Sequence, residues 1–176
     1  MRQRHEDDAP DRDVPTARGA CTLALRWLAG RDLTSAELTL RLRRRGCPDD
    51  VIAEALARLR HTGAVNDERV AISRARIEAS SRGRGRDRVL LRLRSIGIDA
   101  ATARHAVDVV FADVDESTLL DRAVKRRLKA AGGALRTPAD YRRLMSALVR
   151  QGFSPGDVRR ALAPLRRGAD EAEAEE

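Results

Sequence analysis

Three glycines set the frame of this sequence. Gly46, Gly97 and Gly152 lie 51 and 55 residues apart, and one apolar template surrounds each of them. Four residues before the glycine stands Leu42, Leu93 or Leu148, and eight before it Leu38, Val89 or Leu144. One residue after comes Cys47, Ile98 or Phe153, and six after comes Ile52, Ala103 or Val158. Position nine is alanine each time (Ala55, Ala106, Ala161), and positions ten and thirteen are Leu56/Leu59, Val107/Val110 and Leu162/Leu165. Steps of one, three and four gather side chains on one face of an α-helix. The pattern therefore predicts helix, glycine stop, helix, repeated three times.

Caps and breakers supply the remaining boundaries. Thr34-Ser35-Ala36-Glu37 has the form of a capping box. Pro48 suits the first turn of the helix after Gly46. Asn66 or Asp67, Asp99, Asp115, Thr137-Pro138 and Ser154-Pro155 open further helices. The last of these is expected to run to about Arg166. No run alternates with the period of a strand. The expected fold is all-α: three tandem three-helix, helix-turn-helix-like repeats at 17–63, 64–113 and 114–168. A disordered N-terminal tail (1–16) and an acidic C-terminal tail (169–176) flank them. A unit of about 50 residues is marginal alone. The repeats are thus expected to keep small cores of their own and to support one another in an elongated, curved body.

Such a body offers surface instead of a pocket, so its charge decides what it attracts. Residues 1–16 carry three arginines against five acids, and residues 169–176 five acids and no base. Within a net charge of +8, residues 17–168 therefore carry +15. That basicity favours polyanions or an acidic protein surface. Its densest stretch, SSRGRGRDRVLLRLRSIG, places Arg82, Arg84, Arg86, Arg88, Arg92 and Arg94 around one acid, Asp87. Arg82, Arg84 and Arg86 alternate with glycines in an expected mobile loop before a helix start, where anions are favoured. Folding has no evident use for them there. Lys125, Arg126 and Lys129, with Arg127, form a second cluster, and Arg43 and Arg44, with Arg41 and Arg45, a third. These Arg and Lys candidates for partner or DNA contact are distributed over all three repeats.

Other chemistries find no support. RGRGRDRV lacks the third glycine of a dinucleotide loop and no strand precedes it. His5, His61 and His105 are scattered. Cys21 and Cys47 show no metal-ligand spacing and read as small core residues in a reducing compartment. Trp27, Phe111, Tyr141 and Phe153 read as packing residues, which leaves few platforms for base stacking. No enzyme activity, cofactor or metal is expected, and no apolar run reaches membrane-spanning length.

ALRWLAGRDLTSAELTLRLRRRG resembles the opening of the RecX regulatory proteins. AVNDERVAISRARIEASSRGRGRDRVLLRLRSIGID is similar to that family's most recognisable stretch. The likeness covers about residues 20–110 closely and 115–166 more loosely; the family often has an aromatic where Val70 stands. The resemblance implies a cytoplasmic bacterial modulator, usually an inhibitor, of the RecA recombinase. Such a protein lies in the groove of the RecA–single-stranded-DNA filament and hinders its extension, ATP hydrolysis and strand exchange. The partners so implied are RecA and, independent of sequence, the DNA backbone, met by a protein that is monomeric when free. Two alternatives remain open on the residues alone. One is a helix-turn-helix transcription regulator reading DNA with the helices that start at Pro48, Ala100 and Pro155. The other is a generic nucleic-acid-coating protein.

Overall fold

The computed structural model describes residues 16–133, 135 and 137–174, with side chains as far as Leu165. Every regular element among these residues is helical. In chain order they are α1 (Ala17–Leu28), α2 (Ser35–Arg44), α3 (Asp49–His61) and α4 (Asp67–Arg76), which continues into a π-helical turn (Ile77–Ser81). Then follow α5 (Arg86–Ser95), α6 (Ala100–Asp113), α7 (Glu116–Ala130), α8 (Pro138–Arg150) and α9 (Pro155–Ala174). The expected N-terminal tail lies outside the described residues except for Thr16, whose hydroxyl caps α1 by accepting from the Gly19 amide at 3.1 Å. At the other end the backbone stays helical to Ala174, past the expected stop near Arg166.

The glycine template has a local cause. After α2, the Cys47 amide donates to the Leu42 carbonyl at 3.1 Å and the Gly46 amide to Arg43 at 2.9 Å. After α5 the same two bonds join Ile98 to Leu93 and Gly97 to Arg94, and after α8 they join Phe153 to Leu148 and Gly152 to Val149. The three glycines have φ of 80°, 85° and 100°, the left-handed region where a Cβ is strained. These are three copies of the Schellman closure, which also brings the residue after the glycine onto the residue four before it. Each such pair is buried: Cys47 with Leu42, Ile98 with Leu93, Phe153 with Leu148. The apolar template is thus the hydrophobic half of a helix stop plus the core face of the next helix.

Helix starts are equally local. Thr34 and Glu37 form the expected capping box, both bonds at 3.0 Å. Thr137 and Asp140 form a second one, with the shorter Asp in place of Glu. Asp99 and Asp115 cap α6 and α7. Pro48 stands one position outside α3, as its N-cap, so α3 begins on two acids, Asp49 and Asp50; negative charge there suits the helix dipole.

The chain divides into two compact units, Met1–Asp67 and Glu68–Glu176. In the first, α1 packs on α3 and α2 completes a core of Ala20, Ala24, Leu33, Leu38, Leu42, Ile52, Ala55 and Leu56. The alanines leave room for close approach of the helices. Cys47 is buried and Cys21 half-buried, its thiol 3.5 Å from the Ala55 carbonyl. Asp67 closes this unit by accepting from the Ser35 amide, at the start of α2, at 2.7 Å.

In the second unit the expectation of one core per repeat does not hold. Buried side chains from Ala71 to Leu162 form a single cluster, in which Val89, Leu93 and Ala106 of the second repeat are continuous with Leu148, Phe153 and Leu162 of the third. The reason is a backbone junction between the two repeats, which also carries the site described next.

Candidate polyanion interface

The junction joins the glycine-arginine loop to the end of α8. The Gly85 amide donates to the Gln151 carbonyl at 3.1 Å, and the Asp87 amide to the Gly152 carbonyl at 3.2 Å. A Cβ on Gly85 would lie 2.3 Å from the Gly152 oxygen, and one on Gly152 would lie 2.4 Å from the Arg88 nitrogen. Only two glycines allow so close an approach. The Gln151 side chain adds a third tie. Its Nε2 donates to the Gly83 carbonyl at 2.6 Å, and its Oε1 accepts from Nε and Nη2 of Arg127 at 3.3 and 3.1 Å. The loop expected to be mobile is therefore pinned at Gly83, Gly85 and Asp87.

Its arginines also have a use in folding. Glu78, in the π-helical turn, is a buried carboxylate with a side chain only 6% exposed. Arg82 Nη1 lies 2.6 Å from its Oε1, and Arg92 Nε lies 3.9 Å from the same oxygen. Oε2 is fully enclosed and has Arg84 Nη1 at 2.6 Å, a charge contact without the alignment of a hydrogen bond. A buried carboxylate is tolerated only when its charge is met in this way. Arg86 is committed elsewhere. It lies 2.7 Å from Asp108 and 3.6 Å from Glu116, and its guanidinium sits 5.1 Å from the Phe111 ring centre. Its amide also donates to Glu116 at 3.2 Å. Arg86 thereby ties the start of α5 to α6 and α7.

Over the junction lies an open groove of about 720 Å³. Arg82, Arg84, Arg88, Arg126, Arg127 and Arg150 line it, and Asp87 is its one acid among the described residues. Two clusters far apart in sequence, around residues 82–88 and 125–127, thus share a site. Arg88, Arg126 and Arg150 are exposed, and among the described residues no carboxylate pairs with them. The groove therefore has a wall where the one charge of Glu78 partly offsets Arg82 and Arg84, an Arg127 held by the uncharged Gln151 amide, and three guanidiniums, of Arg88, Arg126 and Arg150, facing solvent. Guanidiniums recognise carboxylate and phosphate oxygens through paired N–H donors.

Of the other candidates, Arg94, Lys125 and Lys129 are exposed and do not line the groove. Arg43 and Arg44 belong to the first unit. Arg43 lies 2.6 Å from Asp49; this bond raises the Arg43 pKa and lowers that of Asp49. Arg44 is exposed. Arg41 stacks on Trp27 at 5.6 Å, and Phe111 and Phe153 are buried, so the aromatics do pack. Sequence reasoning missed Glu78, Arg150 and Gln151. Glu78 had a signal, as the only acid between Arg69 and Arg86. Arg150 and Gln151 had only their position before a repeat glycine. Among the described residues no group of acids, histidines and cysteines is arranged to hold a metal ion, and no helix is long and apolar enough to cross a membrane.

Comparison with known proteins agrees with this architecture. Residues 20–59 match the family model described as RecX, first three-helix domain. The regulatory protein RecX of Thermobifida fusca is 38% identical over 148 residues, covering 84% of this chain and 77% of the relative. That of Streptomyces coelicolor is 36% identical over 156 residues, covering 87% and 79%. The crystal structure of RecX from Lactobacillus salivarius superposes with a TM-score of 0.74 at 20% identity, covering 85% of this chain and 96% of that one.

Proposed function

The chain belongs to the RecX family of regulatory proteins, and on that premise we propose that it regulates the RecA recombinase by binding the RecA–single-stranded-DNA filament. It acts as an inhibitor, hindering filament extension, ATP hydrolysis and strand exchange. Family membership makes it a regulator, not an enzyme. The observation that supports this reading is the arginine groove on the Gly85–Gly152 junction, with Arg88, Arg126 and Arg150 unmatched by internal acids. A surface of that kind binds a partner at a cost in desolvation that only opposite charge offsets. The exposed Arg94, Lys125, Lys129 and Arg44 add sequence-independent attraction to the DNA backbone.

A transcription regulator is less well supported. The helix that would enter the major groove in the first unit, α3, begins with Asp49 and Asp50, which repel phosphate where a recognition helix needs to approach it. The direct test is RecA ATP hydrolysis on single-stranded DNA with the purified protein added. Slowing at substoichiometric protein is expected; an unchanged rate at every ratio contradicts the proposal.

A further inference from the structure

The same groove is not purely cationic. Leu91 lines it and is 60% exposed, the most exposed large apolar side chain among the described residues. Ala147 and Val149 of α8 line it as well. Three apolar side chains thus share the groove with Arg88, Arg126 and Arg150. A phosphate backbone has only its sugars to place against leucine and valine. No aromatic ring lines the groove to stack a base, and Asp87 at its edge repels a run of phosphates. A polypeptide segment can alternate carboxylates with an apolar side chain and so match both features. Leu91 is not needed to close the core, because Val89 and Leu93 on the other face of α5 are fully buried.

We infer that this groove receives an acidic polypeptide segment bearing an apolar side chain, with its carboxylates on Arg88, Arg126 and Arg150 and its apolar group against Leu91 and Val149. The groove is then the protein-contacting part of the surface, and DNA is left to the cations outside it. The inference rests on the reading of the chain as a filament-binding regulator, and names which component of the filament this site touches.

The experiment replaces Leu91 with the photo-cross-linker p-benzoylphenylalanine in the full chain and irradiates it with RecA filaments on single-stranded DNA. Cross-links into RecA polypeptide, mapped to an acid-rich segment, are expected. In parallel, Leu91→Ser is expected to weaken filament binding about tenfold, the effect of losing one buried leucine, and to leave affinity for naked single-stranded DNA within twofold. Cross-links confined to nucleotide, or none while the protein still slows ATP hydrolysis, overturn the inference and leave the regulatory reading standing. So does a Leu91→Ser variant that binds filaments normally. If the unaltered protein neither binds filaments nor slows hydrolysis, the regulatory reading fails, and the inference with it.

Discussion

Gly85 and Gly152 meet backbone to backbone: the carbonyl oxygen of Gly152 occupies the space, 2.3 Å away, that a Cβ on Gly85 would need. Neither neighbour is a flexible side chain able to swing aside, so the second and third repeats must separate to admit a methyl group.

This contact distinguishes glycines that share a conformation. Gly46→Ala meets no atom within 4 Å and carries only the left-handed backbone penalty, roughly 1–2 kcal/mol. Gly85→Ala carries the clash instead, about 1–3 kcal/mol. Gly152→Ala carries both and is expected to be the most damaging. Urea denaturation of the three variants, followed by circular dichroism, checks the order.

Glu78→Gln removes the carboxylate that Arg82, Arg84 and Arg92 surround. Those arginines can turn toward water, so the loss of stability is expected to be about 1–2 kcal/mol, below the 3–5 kcal/mol typical when a fully buried partner is stranded. The groove meanwhile gains one unit of positive charge. The variant should elute from immobilised heparin at higher salt than the parent while melting at a lower temperature.

The arginines are not equivalent. Arg88, Arg126 and Arg150 replaced together by alanine should leave stability almost unchanged, because none has an acidic partner among the described residues. If these three met phosphates, the slope of log affinity for single-stranded DNA against log salt would fall by about 2; the groove assignment predicts a loss of filament binding with a smaller change in that slope. Arg86→Ala should do the reverse. It removes the contacts to Asp108, Glu116 and Phe111 and destabilises by about 1 kcal/mol. Denaturation and binding measured on both variants separate the two roles.

Asp115 sets an acid limit on α7. Hydrogen bonds from Thr118 and Ser117 hold its carboxyl at a pKa of about 2, below the usual 3.8. A group whose pKa is depressed in the folded state adds stability above its unfolded pKa and loses it as pH falls through the folded value. The contribution is therefore nearly complete above about pH 4 and is lost as pH falls through about 2. Asp115→Asn keeps an N-cap acceptor without the charge. Its stability relative to the parent should rise as pH is lowered across that window, as read from melting temperatures at pH 5, 3.5 and 2.5.

The helices were legible in the sequence because their signals are local. A Schellman glycine, a Thr-x-x-Glu box and a capping aspartate act within about six residues, and the apolar template follows from the same closures. The merging of two cores was not legible. It depends on Gly85 and Gly152 meeting across 66 intervening residues, and nothing in the spacing of either announces the other. The basic clusters were visible as composition, but the roles within them were not. Arg84, Arg86 and Arg88 alternate in sequence, yet one meets a buried glutamate, one an aspartate and an aromatic ring, and one solvent. Those fates depend on Glu78, Asp108 and Phe111, which tertiary packing supplies.

The single core of residues 71–162 also limits how a chain of this kind can change length. Neither of the two repeats that share it can be deleted or copied alone without opening an apolar wall to water. The core cluster of the first repeat is drawn from residues 20–65. It is the natural place for gene duplication or loss to add or remove a module.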